Sequence, residues 1–220
     1  DVITEANVLS TNFSQYKVLL VGNDNFVNFQ NIPVEKYNSL IMNEYHFYQK
    51  GIFSISDSQW GWSAGKGSAS SPTNVRISTT STTITDNVPE LFKAYTVQNT
   101  QVQSFYLTGK KATGIKLIAQ VSGRAASDSI IAVAYPGTVY LNGKTATARS
   151  LFFGIVDLKY WTIESRQLFR NSLEWVLMGE DNDDDGFFTD EDCDDTNDEI
   201  NPNGGDIEYD GFDQDCNGFD

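Results

Sequence analysis

Residues 181 to 192 read Asp-Asn-Asp-Asp-Asp-Gly-Phe-Phe-Thr-Asp-Glu-Asp, an order of oxygen donors that suits a hard divalent cation. Carboxylates stand at loop positions 1, 3 and 5 (Asp181, Asp183, Asp185), with Gly186 at 6, the carbonyl of Phe187 at 7, Thr189 at 9 and Asp192 at 12. Alternate side chains on a tightly curled loop point inward and together supply the six to eight oxygens, at roughly 2.3–2.6 Å, that calcium takes. Gly186 makes the sharp turn. The usual twelfth ligand is a bidentate Glu, so the shorter Asp192 reaches in through one oxygen or draws the loop tighter. A second cluster repeats the spacing with Asp213, Asp215, Asn217, Gly218, Phe219 and Asp220. Between the two, Asp194 and Asp195 add donors, and Asn201-Pro202-Asn203-Gly204-Gly205 forms a turn-rich connector with Glu208 and Asp210 beyond it. The donors are all hard oxygen with no histidine nearby, which favours Ca²⁺ over softer ions.

A run of like charge is most often a solvated tail. Here the carboxylates alternate with glycine and aromatic residues, unlike a low-complexity tract. The stretches DNDDDGFFTDEDCDD, NPNGGDIEYDG and FDQDCNGFD resemble the short MopE-type metal-binding motif of secreted proteins and, more loosely, the calcium repeats of thrombospondin type 3. That resemblance covers about forty residues. It implies two or more bound cations in a compact module with little regular secondary structure. The two cysteines, Cys193 and Cys216, both fall inside it. Either they pair or they are separate thiols; a zinc or copper site would want more Cys or His partners. Pairing is the expectation, because a disulfide would remove about 3 kcal/mol of unfolded-state entropy from a segment with almost no apolar core. It would also place the chain in an oxidising compartment.

The formal net charge of −15 is local: seventeen of the thirty acidic residues lie in 181–220 with no Lys or Arg, leaving thirteen against fifteen basic residues in 1–180. No basic stripe is present to meet nucleic acid, and the acidic segment would repel phosphates. No apolar run approaches the eighteen or more residues of a membrane-spanning helix. A start at Asp1 rather than Met is expected of a processed, secreted polypeptide or of a fragment. Asn12-Phe13-Ser14 is a sequon, so Asn12 is a candidate glycan acceptor.

The elements that must carry this segment are mostly strands. Lys17–Gly22 is a short apolar run ending in glycine and reads as a buried parallel strand. Further strands are expected at 37–42, 74–79, 114–120, 129–135 and 146–154, with shorter ones at 94–97, 102–107 and 138–141. Asn142-Gly143 predicts a type I′ hairpin turn. A helix is expected over Ile163–Met178, capped by Thr162 and ended by Gly179, with Leu168, Phe169, Leu173, Val176 and Leu177 as its apolar stripe.

Ile130–Tyr135, then Gly143–Gly154 with its R-x-L-F-F-G run, then the helix ending near Leu177, resemble the end of a class I glutamine-amidotransferase-like, flavodoxin-like domain. Val18–Val21 and Leu40–Glu44 match two of its central strands, so the likeness spans about 17–178. Catalytic members of that family pair a cysteine nucleophile with a histidine. Here both cysteines lie in the acidic module and His46 is the single histidine, so no Cys–His pair can form in the body. No G-x-S-x-G elbow is present, and Ala64-Gly65-Lys66-Gly67-Ser68 lacks the phosphate-loop spacing. Asn43-Glu44-Tyr45-His46 would lie at a strand's carboxyl end, where α/β folds place ligands. It reads first as a packed turn, as Trp60 and Trp62 read as packing under a glycine-rich loop.

The expectation is therefore an α/β chain with a flavodoxin-like mixed, mostly parallel sheet and added antiparallel strands. It divides into an N-terminal arm (1–16), the sheet domain (17–179) and a disulfide-bonded calcium module (180–220). The early βα units of the fold are missing before Val18, which leaves sheet edges for self-association, with the extended arm adding to a neighbour's sheet. The expected function is a secreted or cell-surface, non-catalytic structural subunit of an extracellular assembly or filament. The alternatives are a calcium-dependent attachment module, and a degenerate hydrolase or carbohydrate-binding domain working through Glu44 and His46.

Overall fold

The computed structural model describes residues 1–48, 60–80, 83–183, 185–207 and 209–219. Nine strands are described: β1 (Leu19–Val21), β2 (Ser39–Ile41), β3 (Ser63–Ser70), β4 (Asn74–Ile77), β5 (Leu91–Lys93), β6 (Gln103–Lys111), β7 (Lys116–Val121), β8 (Ser129–Ala134) and β9 (Ser150–Phe153). Among the described residues one α-helix, α1 (Ile163–Met178), accompanies them. The main strand order is β1-β2-β9-β8-β7-β4-β5, with β6 against β8 and β3 outside β6.

The central strands β2, β8 and β9 are buried at every position because both faces of the sheet are covered, and after an opening serine each is wholly apolar. On β8, Ile131 and Val133 join one core with Leu40, Leu151, Phe153, Leu168, Trp175 and Val176, beneath α1. The alternate residues Ala132 and Ala134 face a second core with Ile41, Phe47, Trp60, Trp62 and Phe152. The buried hydroxyls on these strands are paired: Ser129 Oγ donates to the Ala119 carbonyl at 2.8 Å, and Ser150 Oγ bonds Tyr140 at 2.7 Å.

α1 begins and ends at the expected residues. Thr162 Oγ1 accepts from the Ser165 N–H at 3.3 Å, and Gly179 ends the helix at φ 106°. The buried stripe is Leu168, Trp175 and Val176 with Ser165, Asn171 and Ser172, while Phe169 and Leu173 pack at its margin and Leu177 is half-buried. Small polar residues fit the stripe because each finds a partner. Ser165 Oγ donates to the Ala94 carbonyl, and Asn171 Nδ2 donates to the carbonyls of Ile84 and Asp86.

The sheet is mixed, with antiparallel strands added to parallel ones. The parallel part is smaller than expected: the β1–β2 and β2–β9 pairs are parallel, and the remaining ladders are antiparallel. Residues 63–70 form a strand instead of a glycine-rich loop. A Cβ on Gly67 would lie 2.2 Å from a ring carbon of Tyr106, so the glycine makes room for a cross-strand ring. The strand expected at 94–97 forms three residues earlier as β5, and 138–141 is reduced to isolated bridges at Val139. The Asn142-Gly143 turn is present but is not type I′, since Gly143 alone has positive φ (84°) and its N–H bonds the Tyr140 carbonyl. That is a turn closed by a single left-handed residue, the three-residue hairpin loop.

The N-terminal segment is not an extended arm. Glu5–Ser10 and Phe13–Gln15 are 3₁₀ turns, Val8 is buried, and Tyr16 Oη donates to Asp1 at 3.1 Å. Val2, Ile3, Val8 and Phe13 lie along edge strand β1 and with it line a cleft of about 470 Å³. Burying Val8 keeps the segment on its own sheet.

Candidate metal centre

The loop that follows α1 is shaped by its own carboxylates. The Gly186 N–H donates to Asp181 Oδ2 at 3.2 Å, the Phe187 N–H to Asp185 Oδ1 at 2.8 Å, and the Asp185 N–H to Asp183 Oδ1 at 3.4 Å. Gly186 takes φ 94°, the left-handed conformation that lets the chain reverse at position 6. Ligand atoms of Asp183, Asp185 and Asp192 converge within 4.8 Å of one another, as do those of Asp181, Asp183 and Asp195. Asp183 belongs to both sets, so five carboxylates surround one region. The shorter arm of Asp192 does reach the loop.

Asp192 is the most informative member. It is 8% exposed, its Oδ1 accepts the Asp194 N–H at 2.8 Å, and its buried Oδ2 has no hydrogen-bond partner among the described residues. Asp183 Oδ2 is likewise buried without one. Burial raises the Asp192 pKa above the usual carboxylate value, the Asp194 N–H opposes this, and the charges of Asp185, Asp183 and Asp195 add to it. Converging carboxylate oxygens held away from water are costly unless a cation or proton joins them. The donor set fits calcium: all hard oxygen, with both cysteine sulfurs consumed in a disulfide.

Those sulfurs form the disulfide Cys193–Cys216, with Cα atoms 5.7 Å apart. It joins the first loop to the last. There the geometry repeats in register: the Gly218 N–H donates to Asp213 Oδ2 at 2.8 Å, the Phe219 N–H to Asn217 Oδ1 at 2.9 Å, and the Asn217 N–H to Asp215 Oδ1 at 3.2 Å. Ligand atoms of Asp213 and Asp215 converge with Asp206. Asp206 belongs to no expected donor set, yet its frame was readable: Asp206-Ile207-Glu208-Tyr209-Asp210-Gly211-Phe212 has the same acidic-x-acidic-x-acidic-Gly-Phe order as residues 181–187. The Phe212 N–H donates to Asp210 Oδ1 at 2.9 Å, as Phe187 does to Asp185.

Several expected donors stand apart from these sets. Asp194 accepts from Thr196 Oγ1 at 2.7 Å and joins none of the converging groups. Thr189 braces the loop instead of facing its centre, donating through Oγ1 to the Glu180 carbonyl and bonding Asp195. Asp220 lies outside the described residues, as do Asp184 and Glu208. Asn12 is exposed, with Oδ1 accepting from Ser14.

The polar group at the carboxyl ends of β1 and β2 is a built turn. Asn43 Nδ2 donates to the carbonyls of Gly22 and Asp24, and its Oδ1 accepts the N–H groups of Tyr45 and His46. His46 is 4% exposed and stacks on Phe29 at 4.0 Å and 9°, with Trp60 edge-on. Burial lowers its pKa to about 4. Glu44 pairs with Lys66 at 3.3 Å. Trp60 and Trp62 are buried, 2% and 0% exposed, so both pack as expected.

No family model matches the chain, and no curated protein matches it. Among solved structures, it is similar to a protein from Bacteroides uniformis described as ThuA-like, at 12% identity and a TM-score of 0.46, over 75% of this chain and 71% of that one.

Proposed function

We propose that this chain is a secreted or cell-surface structural protein whose C-terminal module is organised by two or more Ca²⁺ ions. The observation that carries this reading is the buried, unpartnered Oδ2 of Asp192, converging with Asp183 and Asp185. The first ion would be held by Asp181, Asp183, Asp185, Asp192 and Asp195, and a second by Asp206, Asp213 and Asp215. Calcium supplies charge neutralisation and cross-linking here, not a reaction step. The disulfide supports an oxidising compartment.

A non-catalytic body is supported by what its reactive groups are doing. Both cysteine sulfurs are bonded to each other, and His46 is stacked on Phe29 with Trp60 edge-on. Self-association is supported by apolar surface: Ile207, Tyr209, Phe212 and Phe219 are all more than half exposed in the last part of the module, as is Leu20 on β1. The same four module residues favour the alternative of a calcium-dependent attachment surface. Calorimetric titration of the metal-free chain should show at least two calcium ions taken up. No uptake at millimolar calcium would sink the proposal. Chelation followed by light scattering and electron microscopy then separates the two roles. Loss of particles puts ions at subunit contacts; persistence confines them to one subunit.

A further inference from the structure

We infer that Glu180 and Arg149 are positioning residues that couple cation loading of the first loop to the stability of the sheet domain. This rests on the calcium reading above but concerns residues outside the ligand set.

The loop is fastened to the body just outside each end. At its start, Glu180 Oε1 accepts from Trp175 Nε1 at 2.7 Å and from Tyr135 Oη at 3.0 Å, and Oε2 accepts the Thr83 N–H at 3.3 Å. The Asp181 N–H donates to Thr83 Oγ1 at 3.2 Å. At its end, Arg149 grips Asp190 through both guanidinium nitrogens, at 2.9 and 2.6 Å, and its Nη2 also reaches the Leu177 carbonyl. Thr189 ties the two ends together, its N–H and Oγ1 both donating to the Glu180 carbonyl at 2.8 and 2.9 Å.

The partners on the body side lie in or beside the elements that build the core. Tyr135 directly follows β8, Arg149 directly precedes β9, and Trp175 is fully buried on α1. Two ligands, Asp181 and Asp192, thus sit one and two residues from a clasp. A cation that draws these ligands together favours the clasped arrangement, and by linkage the clasped arrangement favours the cation to the same degree. Bidentate Arg–carboxylate geometry makes the clasp directional as well as attractive.

The test compares wild type with the Glu180→Gln, Arg149→Lys double variant and with Tyr135→Phe, which deletes a single bond to Glu180. Calcium affinity is read by calorimetry. Stability is read from the thermal unfolding of the sheet and the hydrogen exchange of the β8 amides, each with and without calcium. Wild type should gain roughly 5–10 °C in Tm at free calcium a hundred times its Kd. Its β8 amides should gain protection in parallel. The double variant should bind calcium about five- to tenfold more weakly and lose at least half of the Tm gain, with Tyr135→Phe in between. Calcium binding by wild type with no change in the sheet transition or in β8 protection would overturn the coupling while leaving the metal reading intact. Full retention of the gain in both variants would also overturn it. A chain that takes up no calcium would overturn both.

Discussion

Single carboxylates decide what the acidic segment can hold. Asp192 has one oxygen spent on a backbone N–H and one buried without a partner, so Asp192→Asn should weaken calcium binding roughly tenfold or more by calorimetry. Asp194→Asn, whose carboxylate joins no converging set, should leave affinity within about twofold. Because burial raises the Asp192 pKa, protons compete for that oxygen at a higher pH than for an ordinary carboxylate, and affinity should begin to fall there first. His46 acts in the opposite part of the molecule with a definite sign. Its folded pKa, lowered to about 4, lies below the unfolded value near 6.5, so its contribution is unchanged above 6.5. As pH falls from 6.5 towards 4, the unfolded state takes up a proton that the folded state refuses, and stability drops. Roughly 2 kcal/mol should be lost between pH 7 and 5. Urea unfolding of His46→Phe should show that loss greatly reduced; an unaltered pH dependence would remove His46 as its cause.

At the scale of elements, close backbone approach matters as much as apolar pattern. Gly154 follows β9 where its carbonyl accepts the Phe105 N–H and its N–H bonds the Ile130 carbonyl, both at 2.8 Å. A Cβ there would lie 1.8 Å from the Phe105 carbonyl oxygen, so Gly154→Ala must push β6 away from the β8–β9 pair. It should cost about 3 kcal/mol or more, in line with other overpacked core positions, as measured by denaturant unfolding. The glycine of the R-x-L-F-F-G run is thus explained by packing. The disulfide belongs to this scale too, joining the first and last acidic loops across 23 residues. Replacing both cysteines by alanine should destabilise the module by about 3 kcal/mol and make it the first site of proteolysis without calcium.

For the whole molecule, the separation of charge is the governing fact. A near-neutral body with two apolar cores carries a module whose seventeen acidic residues repel one another unless cations intervene. The module is fastened to the body through Glu180 and Arg149, so chelation should not simply release a tail. It should loosen the C-terminus of α1, visible as a change in tryptophan fluorescence because Trp175 donates directly to Glu180. Acid should do the same by another route. The Arg149 bond holds the Asp190 pKa below its usual value; that stabilisation is present above about pH 4 and lost as pH falls through the folded value.

The helix, its cap and its end were legible from Thr162, the apolar spacing and Gly179, because those signals are local. The convergence of carboxylates in the first acidic loop was legible for the same reason: Asp181, Asp183 and Asp185 are neighbours in the chain, so their spacing nearly fixes their geometry. Asp206 carried an equally local signal. Residues 63–70 look like a loop because the reasons for their glycines, the side chain of Thr108 against Gly65 and the ring of Tyr106 against Gly67, lie on another strand. Likewise, Val8 looks like part of an arm until β1 is beside it. Tertiary structure alone decided how the module meets the body, since Glu180 and Arg149 find partners up to 97 residues away and no spacing rule reaches that far. Chain order dictated which oxygens can gather around an ion; only packing determined which of them are buried without a partner.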